Sequence, residues 1–334
     1  MIQIAEQQTI GGQELILFRL FNSQGCYVEV LNLGATLVSV VVPDQQGVLE
    51  NVILRYNNMA DYLTDTSHLG ATVGRFANRI SQSQFTLNNT VYHLDANDGI
   101  NSNHGGFKGF NKKYFRGSIE NNALILSTES ADGEGGFPGN MQFSVRYSFD
   151  EQNTLQIEYS AVSDQDTVFN PTNHAYFDLS AGKGKPLEQE LKAEADTFLE
   201  MNDSFLPTGK ILNMEATAFD FRTYTPFSQL MPLKKERLKG YNTYFIGLPG
   251  EKRASLRDKV SGRQLDVYSN MPGVQCYTGD YLSGQHQPFS GVCLEAQGYP
   301  DAPNHPHFPS CAIKANREVK NYIRYHFLLA SLGR

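Results

Sequence analysis

Hydrophobic and polar residues alternate along short segments of the chain, and turn-forming residues separate these segments. Residues 15–21 are largely apolar, residues 27–31 alternate with a period of two, and residues 36–42 are rich in β-branched side chains. Three more pairs of apolar segments flank turns rich in Asn, Asp and Glu: 85–87 with 91–94, 115–119 with 123–128, and 143–149 with 155–162. Turns roughly every 8–12 residues between such segments are typical of antiparallel sandwiches and barrels.

Helical patterns are scarce by comparison. Residues 58–63 predict one or two helical turns, and residues 226–238 are the best candidate for a longer helix, although Pro232 interrupts them. Strands do not alternate with long helices, which disfavours a doubly wound α/β fold. No linker-like segment or internal repeat divides the chain. We therefore predict an all-β fold, with one large antiparallel β-sandwich domain over residues 1–334 and few short helices.

The composition excludes several functional classes. The chain has 28 Lys and Arg against 35 Asp and Glu, a formal net charge of −7, and such a chain repels the phosphates of nucleic acids. No apolar stretch approaches 18 residues and the first eight residues do not resemble a signal peptide, so we expect no membrane partner and a cytoplasmic location. The four cysteines are too few and too scattered for a disulfide scaffold. Because CxxC, HExxH, GxxxxGK[ST] and GxGxxG motifs are absent, we expect no metal and no cofactor.

Two segments combine tight turns with hydrogen-bonding side chains. The first carries Arg75, Asn78 and Arg79, and guanidinium donors suit hydroxyl or carboxylate acceptors, although a pair of surface or ion-paired arginines would look the same. In the second, His104 precedes Gly105 and Gly106, so a sharp turn presents the imidazole from a loop. An exposed turn with no function explains this second segment equally well.

Two further segments have strand-like alternation. In an extended chain, His174 and Tyr176 share a face with Thr172, and they could either bind one ligand or be satisfied by neighbouring carbonyl groups. Glu295 is a lone carboxylate in an uncharged stretch, so it is either solvated or held in a cleft with a shifted pKa. Residues 272–279 predict a neighbouring strand that places Gln275 and Tyr277 on one face.

Together these segments supply one carboxylate, two histidines, an arginine and several amides. This set suits acid/base chemistry on a polyol. A serine hydrolase is disfavoured because no GxSxG motif is present. A glycosidase needs two carboxylates, and neither Asp178 nor Asp301 is a convincing partner for Glu295.

As an ordered set, these segments resemble the aldose 1-epimerase (galactose mutarotase) family over essentially the whole chain. The matching stretches are Gly34-Ala35-Thr36, Gly74-Arg75-Phe76-Ala77-Asn78-Arg79-Ile80, His104-Gly105-Gly106, Lys108-Gly109-Phe110, Asp132-Gly133-Glu134-Gly135-Gly136-Phe137-Pro138-Gly139, Thr172-Asn173-His174-Ala175-Tyr176-Phe177, Leu206-Pro207-Thr208-Gly209, Phe219-Asp220-Phe221-Arg222, Gly273-Val274-Gln275, Leu294-Glu295 and Pro300-Asp301-Ala302.

The resemblance implies a galactose mutarotase-like sandwich with a sugar cleft on one sheet. It implies interconversion of the α and β anomers of an aldose such as galactose or glucose, without a cofactor. Glu295 would be the general base and His174 the general acid, with Glu295 ionised and His174 cationic at the start. The sugar-contacting positions would be Asn78, Arg79, His104, Tyr176, Asn242 and Gln275. The partner would be a small sugar, and the protein a monomer or homodimer.

One position departs from the family pattern. Where the family has Gly, an aromatic residue, Asp and His, this chain has Gly240, Tyr241, Asn242 and Thr243. Asn242 keeps one acceptor oxygen but loses the charge, and a hydrogen bond to a charged group is the stronger kind. We therefore expect weaker binding of simple hexoses or a shifted preference, for example towards a disaccharide such as maltose.

Two rival functions remain on the same fold. A non-catalytic sugar-binding or sensing protein would not need the acid/base pair of Glu295 and His174. An epimerase for phosphorylated hexoses would want extra basic residues at the cleft, and the chain offers only Arg75 and Arg79 and the lysines at 108, 112 and 113.

Overall fold

The computed structural model describes residues 1–233 and 240–330. The first half contains the strands β1 (Ile2–Ile10), β2 (Gln13–Phe21), β3 (Tyr27–Leu31), β4 (Thr36–Pro43), β5 (Leu49–Asn51), β6 (Thr72–Val73), β7 (Arg79–Ile80), β8 (Gln84–Leu87), β9 (Thr90–His93), β10 (Ser102–Asn103), β11 (Arg116–Glu120), β12 (Ala123–Ser130), β13 (Met141–Phe149), β14 (Thr154–Ser163) and β15 (Thr167–Val168). The second half contains β16 (Thr172–Asn173), β17 (Tyr176–Phe177), β18 (Glu190–Ala193), β19 (Ala195–Met201), β20 (Pro207–Asn213), β21 (Thr225–Pro226), β22 (Asn242–Gly247), β23 (Lys252–Arg257), β24 (Arg263–Ser269), β25 (Gly273–Tyr277), β26 (Val292–Gln297), β27 (Ala312–Ile313) and β28 (Val319–Leu329).

Helical structure in the described residues is confined to short pieces. One α-helix, α1, covers Phe227–Leu230. The 3-10 segments are Met59–Thr64, Ser81–Ser83, Phe110–Lys112, Glu134–Gly136, Pro186–Glu188, Met231–Leu233 and Ala302–Asn304. The predicted turns at 58–63 are therefore 3-10 in kind. The predicted helix at 226–238 is wrong over residues 226–233, because no continuous α-helix forms there. One α-helical turn is followed by 3-10 geometry around Pro232, which has no N–H to donate. Residues 234–238 lie outside the described residues.

Three large antiparallel sheets make up the fold of the described residues. Their strand orders are β1-β2-β3-β4-β5, β11-β12-β13-β14-β28-β24-β23-β18-β21 and β17-β26-β25-β22-β19-β20, and four two-stranded pairs complete the structure. The predicted hairpins at 85–94, 115–128 and 143–162 correspond to the pairs β8–β9, β11–β12 and β13–β14, with ends shifted by one or two residues. The predicted all-β sandwich is thus confirmed.

Alternating burial explains how the sheets stack. Along β13 and β14 every second residue is buried, so each strand has one apolar face. The nine-stranded sheet that contains these strands packs against the six-stranded sheet, where the ring of Phe177 on β17 lies 5.1 Å from that of Tyr325 on β28 between ring centres. One buried cluster includes apolar residues from all three large sheets. The single-domain organisation stays a prediction.

The six-stranded sheet also determines where a cleft can form. On β26, Val292, Leu294 and Ala296 point into the buried cluster, so the alternate residues of the same strand point to the opposite face of the sheet. That opposite face carries Glu295, as the sequence pattern predicts. The polar face of this sheet is therefore free to serve as the floor of a ligand site.

The segment around His174 differs from the predicted continuous strand. Thr172–Asn173 pairs with β6, whereas Tyr176–Phe177 pairs with β26. The side chain of Asn173 accepts a hydrogen bond from the backbone N–H of Ala175 at 3.1 Å, which forms a turn and breaks the alternation. Thr172 consequently bonds the carbonyl of Ala296 and does not share a face with His174 and Tyr176.

The described residues include no helix with the length and apolar character needed to cross a membrane.

Candidate active site

A cleft of about 620 Å³ lies over the polar face of the six-stranded sheet. Every site residue expected from the sequence lines this cleft: Asn78, Arg79, His104, His174, Tyr176, Asn242, Gln275 and Glu295. The sequence predicted which residues meet, although they come from separate strands and loops.

Strand register forms the floor of the cleft, which we define as Tyr176, Asn242, Gln275, Tyr277 and Glu295. Residues directly opposite one another in antiparallel strands point to the same face. Gln275 pairs with Glu295, and Tyr277 pairs with Asn242 on its other side. Tyr176 pairs with Cys293, which precedes Glu295 by two residues. The five floor side chains therefore lie on one face by the regular geometry of the sheet.

A buried carboxyl–imidazole pair lies at the centre of the cleft. Oε1 of Glu295 is 3.7 Å from Nε2 of His174, and the side chains are 3% and 6% exposed. Burial raises the pKa of Glu295 to about 8, against a smaller lowering by Arg79. Burial also lowers the pKa of His174 to about 3, with a further lowering from His68. Desolvation disfavours charge on both groups, as expected for ionisable side chains out of water.

These pKa directions describe the sugar-free protein. There the burial of both groups favours the pair's single proton on Glu295 and a neutral His174. The expected ionised Glu295 and cationic His174 concern the start of the reaction, with the sugar bound. The expected ion pair has the same total number of protons, so it differs from this state only by transfer of one proton between the two side chains.

Two buried oxygens on the floor have no hydrogen-bond partner among the described residues: Oε2 of Glu295 and Oε1 of Gln275. Buried polar atoms without partners are uncommon in native proteins, and in a cleft they suit a ligand that brings donors. The amide of Gln275 donates to Oδ1 of Asn242 at 2.5 Å. The side-chain oxygen of Asn242 thus already accepts one hydrogen bond, and its NH₂ group offers donors that a carboxylate would lack.

Loops form the wall of the cleft, which we define as His68, Asn78, Arg79 and His104. Asn78 and His104 hold each other: the backbone N–H of His104 donates to the carbonyl of Asn78, and the backbone N–H of Asn78 donates to Nδ1 of His104, both at 3.2 Å. Because Nδ1 of His104 accepts, the neutral ring carries its proton on Nε2. Arg79 is held by an ion pair with Asp98 at 2.6 Å.

Glycines behind His104 permit the close turn that the sequence predicts. A Cβ on Gly105 would lie 2.0 Å from the carbonyl oxygen of Gly74, and the φ of Gly105 is +88°. No other residue fits this position without a shift of the backbone. The alternative of a functionless exposed turn is wrong, since His104 is buried and lines the cleft.

Arg75 has a structural position, away from the cleft. Its guanidinium donates five hydrogen bonds, to the hydroxyl of Ser130 and to the carbonyls of Ser130, Ala131, Pro138 and Gly139. The Asp132–Gly139 stretch of the sequence motif thus closes around a buried arginine.

Sequence reasoning did not single out His68, Asp98, Phe205 or Tyr281, which also line the cleft. His68 and Phe205 have φ angles of +55° and +56°, conformations that no apolar pattern reveals. Tyr277 follows the same alternation as Gln275, and the sequence pattern already places both on one face. For the others, contact comes from loop geometry and no signal in the chain marks it.

A metal is one alternative use of this cluster. The ligand atoms of His174, Cys293 and Glu295 lie within 4.8 Å of one another. Burial raises the pKa of the Cys293 thiol well above its ordinary value, and the carboxyl of Glu295 is protonated at neutral pH. A metal bound here would have to displace both protons, so its binding would be coupled to their release.

Comparisons with known proteins decide the family. The sequence profile of the family described as aldose 1-epimerase matches residues 17–326. The chain belongs to the aldose 1-epimerase family. It is 38% identical to the galactose mutarotase of Bos taurus over 317 residues, 91% of each chain, and 36% identical to the aldose 1-epimerase of Haemophilus influenzae over 305 residues, 87% of this chain and 88% of that protein.

Solved structures of family members agree with this assignment. The galactose 1-epimerase of Lactobacillus acidophilus superimposes with a TM-score of 0.88 at 28% identity, and the match covers 99% of both chains. The aldose epimerase homologue of C. elegans gives a TM-score of 0.89 at 27% identity over 94% of this chain and 98% of that one. The family resemblance inferred from the motifs is therefore confirmed, and relatives of this family are isomerases.

Proposed function

We propose that this protein is an aldose 1-epimerase that interconverts the α and β anomers of an aldohexose such as galactose or glucose. The observation that carries the proposal is the buried pair of Glu295 and His174, with 3.7 Å between Oε1 and Nε2. Two titratable groups that share a proton inside a polar cleft are what ring opening requires. One must take the proton of the C1 hydroxyl, and the other must give a proton to the ring oxygen.

In the proposed mechanism Glu295 is the general base and His174 the general acid. Sugar hydroxyls supply the donors that Oε2 of Glu295 lacks, and hydrogen bonds to the charged form lower the pKa of a carboxyl. Binding therefore moves the shared proton from Glu295 to His174. His174 then protonates the ring oxygen while Glu295 takes the C1 hydroxyl proton, and the ring opens to the aldehyde.

The second half of the reaction reverses these roles. Rotation about the C1–C2 bond presents the other face of the aldehyde. Glu295 returns its proton to the carbonyl oxygen as the C5 hydroxyl attacks, and His174 accepts the hydroxyl proton. No bond to the protein forms and no cofactor takes part in this scheme. Each partner of such a pair typically contributes roughly 10²–10⁴-fold to the rate.

The remaining lining residues would bind and orient the sugar. Arg79 and His104 would stabilise developing charge and fix orientation, and Asn78 would contribute from the same wall. On the floor, the free oxygen of Gln275 would accept from a hydroxyl. Because the phenol of Tyr176 donates to the carbonyl of Ser67 at 3.0 Å, it can only accept a hydrogen bond from the ligand.

Asn242 bears on the choice of sugar. Its oxygen accepts from Gln275, so it would offer N–H donors to the ligand where a carboxylate would offer acceptors. We expect galactose to be a substrate, as the names of the relatives suggest, with weaker binding than a charged residue would give.

Polarimetry tests the proposal. Freshly dissolved α-D-galactose, α-D-glucose, β-maltose and glucose 6-phosphate are each followed with and without protein. Faster decay of rotation, lost in Glu295→Gln, is the expected result for at least one free hexose. A decay that matches the spontaneous rate for every sugar would reject the epimerase. A preference for maltose or the phosphate ester would change the substrate class and keep the chemistry.

We also propose that the protein acts in the cytoplasm on small sugars, as a monomer or homodimer, and without nucleic acid or membrane partners. No disulfide bond joins its cysteines in the described residues, which fits a reducing compartment. Cell fractionation with an antibody against the protein and light scattering of the purified protein test these two points.

A further inference from the structure

Next to His104 the cleft holds a second imidazole that the proposed mechanism does not use. The ring of His68 lies 4.7 Å from that of His104 and 5.8 Å from that of His174 between ring centres. His68 lines the cleft and is half-buried. Three histidine rings therefore meet on one side of the bound sugar's expected position.

The turn that carries His68 is held in place by several hydrogen bonds. The carboxylate of Asp65 accepts from the backbone N–H groups of Ser67 and Leu69, both at 2.8 Å, and from the phenol of Tyr56 at 2.8 Å. These bonds keep His68 in the left-handed region, at a φ of +55°. Such a conformation costs free energy for a residue other than glycine, and it persists where the surroundings enforce it, often at functional sites.

The hydrogen bond of the ring fixes which nitrogen faces the ligand. The side-chain amide of Asn111 donates to Nδ1 of His68 at 3.0 Å. Burial lowers the pKa of His68 to about 4, so the ring is neutral at neutral pH. A neutral imidazole whose Nδ1 accepts must carry its proton on Nε2. No partner for Nε2 is seen in the part of the chain that the structure describes.

His68 thus repeats the arrangement at His104. In both, Nδ1 accepts from a protein N–H, so the neutral ring carries its proton on Nε2, and both side chains line the cleft. The wall therefore offers two N–H donors side by side, matched to the oxygens of a polyhydroxylated ligand. Neither ring is suited to take part in proton transfer at neutral pH, because both are held neutral with the acceptor nitrogen already bonded.

We propose that His68 is a further substrate-contacting residue, which donates a hydrogen bond from Nε2–H to one hydroxyl group of the sugar, and that Asn111 is the positioning residue for its ring. This inference rests on the proposed function, since it takes an aldose as the ligand. It assigns His68 to binding and leaves proton transfer with Glu295 and His174.

Deoxy sugars provide the test. kcat/KM of the wild type and of His68→Phe is measured for D-galactose and for its 2-, 3-, 4- and 6-deoxy analogues. We expect His68→Phe to lower kcat/KM for galactose about three- to tenfold, the effect of one neutral hydrogen bond. For the single analogue that lacks the contacted hydroxyl, wild type and variant should have about the same kcat/KM, so that the ratio of the two values falls to about one. An equal loss on all sugars, or no loss on galactose, would overturn the proposal.

His286→Phe is the matched control. His286 packs against Tyr56 of the same region, its Nε2 lies 3.2 Å from the carbonyl of Arg55, and it does not line the cleft. For every sugar, kcat/KM of this variant should equal that of the wild type.

A second measurement does not depend on the folding of His68→Phe or on catalysis. Nitrogen-15 spectra of histidine-labelled wild-type protein should show a neutral ring protonated on Nε2 for His68, and this signal should shift when galactose is added. In Asn111→Leu the same signal should move towards a mixture of the two tautomers. A His68 signal protonated on Nδ1, or one that galactose leaves unchanged while other cleft histidines shift, would refute the assignment. A wild type that binds galactose without epimerising it would instead reject the proposed function.

Discussion

The floor and the wall of the cleft obtain their side chains in different ways. Floor residues lie on strands of one sheet, so alternation and register set their direction. On the wall, His68, Asn78 and His104 all have positive φ angles, between +51° and +65°, and turns direct them into the cleft. The floor bears the carboxyl of the acid/base pair, with His174 at the junction of the two regions, whereas the wall bears hydrogen-bond donors, among them the guanidinium of Arg79. The general base thus rests on the regular part of the fold, and the irregular part adds donors for recognition to the acceptors of the floor.

Removal of the floor carboxyl is expected to have the largest effect. Glu295→Gln should lower kcat by roughly 10²–10⁴-fold with little change in KM, because the amide keeps the shape of the side chain but cannot accept a proton. Polarimetry with galactose measures this. Glu158→Gln is the control, since Glu158 pairs with Arg146 outside the cleft. Near wild-type turnover in Glu295→Gln would show that the floor carboxyl takes no part in proton transfer.

A disturbance of the wall should show a different pattern. Gly105→Ala places a methyl group against the carbonyl of Gly74 and displaces the loop of His104, so kcat/KM should fall roughly ten- to a hundredfold, mainly through KM. Gly47→Ala is the matched control, because Gly47 also has a positive φ, of +82°, but has open space at the Cβ position. If both substitutions affected KM equally, backbone strain and not the position of His104 would be the cause.

The pH profile of kcat/KM should depend on Glu295 of the floor and not on the histidines of the wall. The active form has one proton on the pair, and the raised pKa of Glu295, about 8, governs its loss. kcat/KM should therefore be flat near neutral pH and fall about tenfold per unit above pH 8, after the uncatalysed rate is subtracted. In His68→Phe the break should remain near pH 8. A break at the ordinary pKa of a glutamate would show that the carboxyl is not desolvated in the active protein.

The smallest effect is expected from the thiol beneath the pair. Sγ of Cys293 lies 3.5 Å from Nδ1 of His174 and restrains the ring. Cys293→Ala should lower kcat roughly two- to fivefold at unchanged KM, and Cys293→Ser, which keeps a polar contact, should restore part of the loss. Equal activity in the wild type and both variants would show that Cys293 does not help to hold the imidazole of His174.

Most of the floor could be predicted from the chain, because period-two alternation places Gln275 and Glu295 on faces that the structure confirms. Their direct pairing could not be predicted, since register across separate strands depends on long-range packing. The segment at His174 misled for a local reason, the turn at Asn173. His68 was missed because its direction depends on hydrogen bonds that the carboxylate of Asp65 accepts and that the amide of Asn111 donates, and no periodicity connects these residues to it. The charge state of the pair in the sugar-free protein could not be predicted either, because it depends on how deeply both side chains are buried.

The unpaired oxygens of the floor have a consequence for selectivity over water. Oε2 of Glu295 and Oε1 of Gln275 belong to different strands that lie side by side in register, so a ligand that spans both must present two donors at a fixed separation. Separate water molecules can satisfy each oxygen singly, but a rigid ring that satisfies both releases them together. The floor therefore selects a ligand by the distance between its two donor groups, and the separation of neighbouring strands in the β-sheet sets that distance.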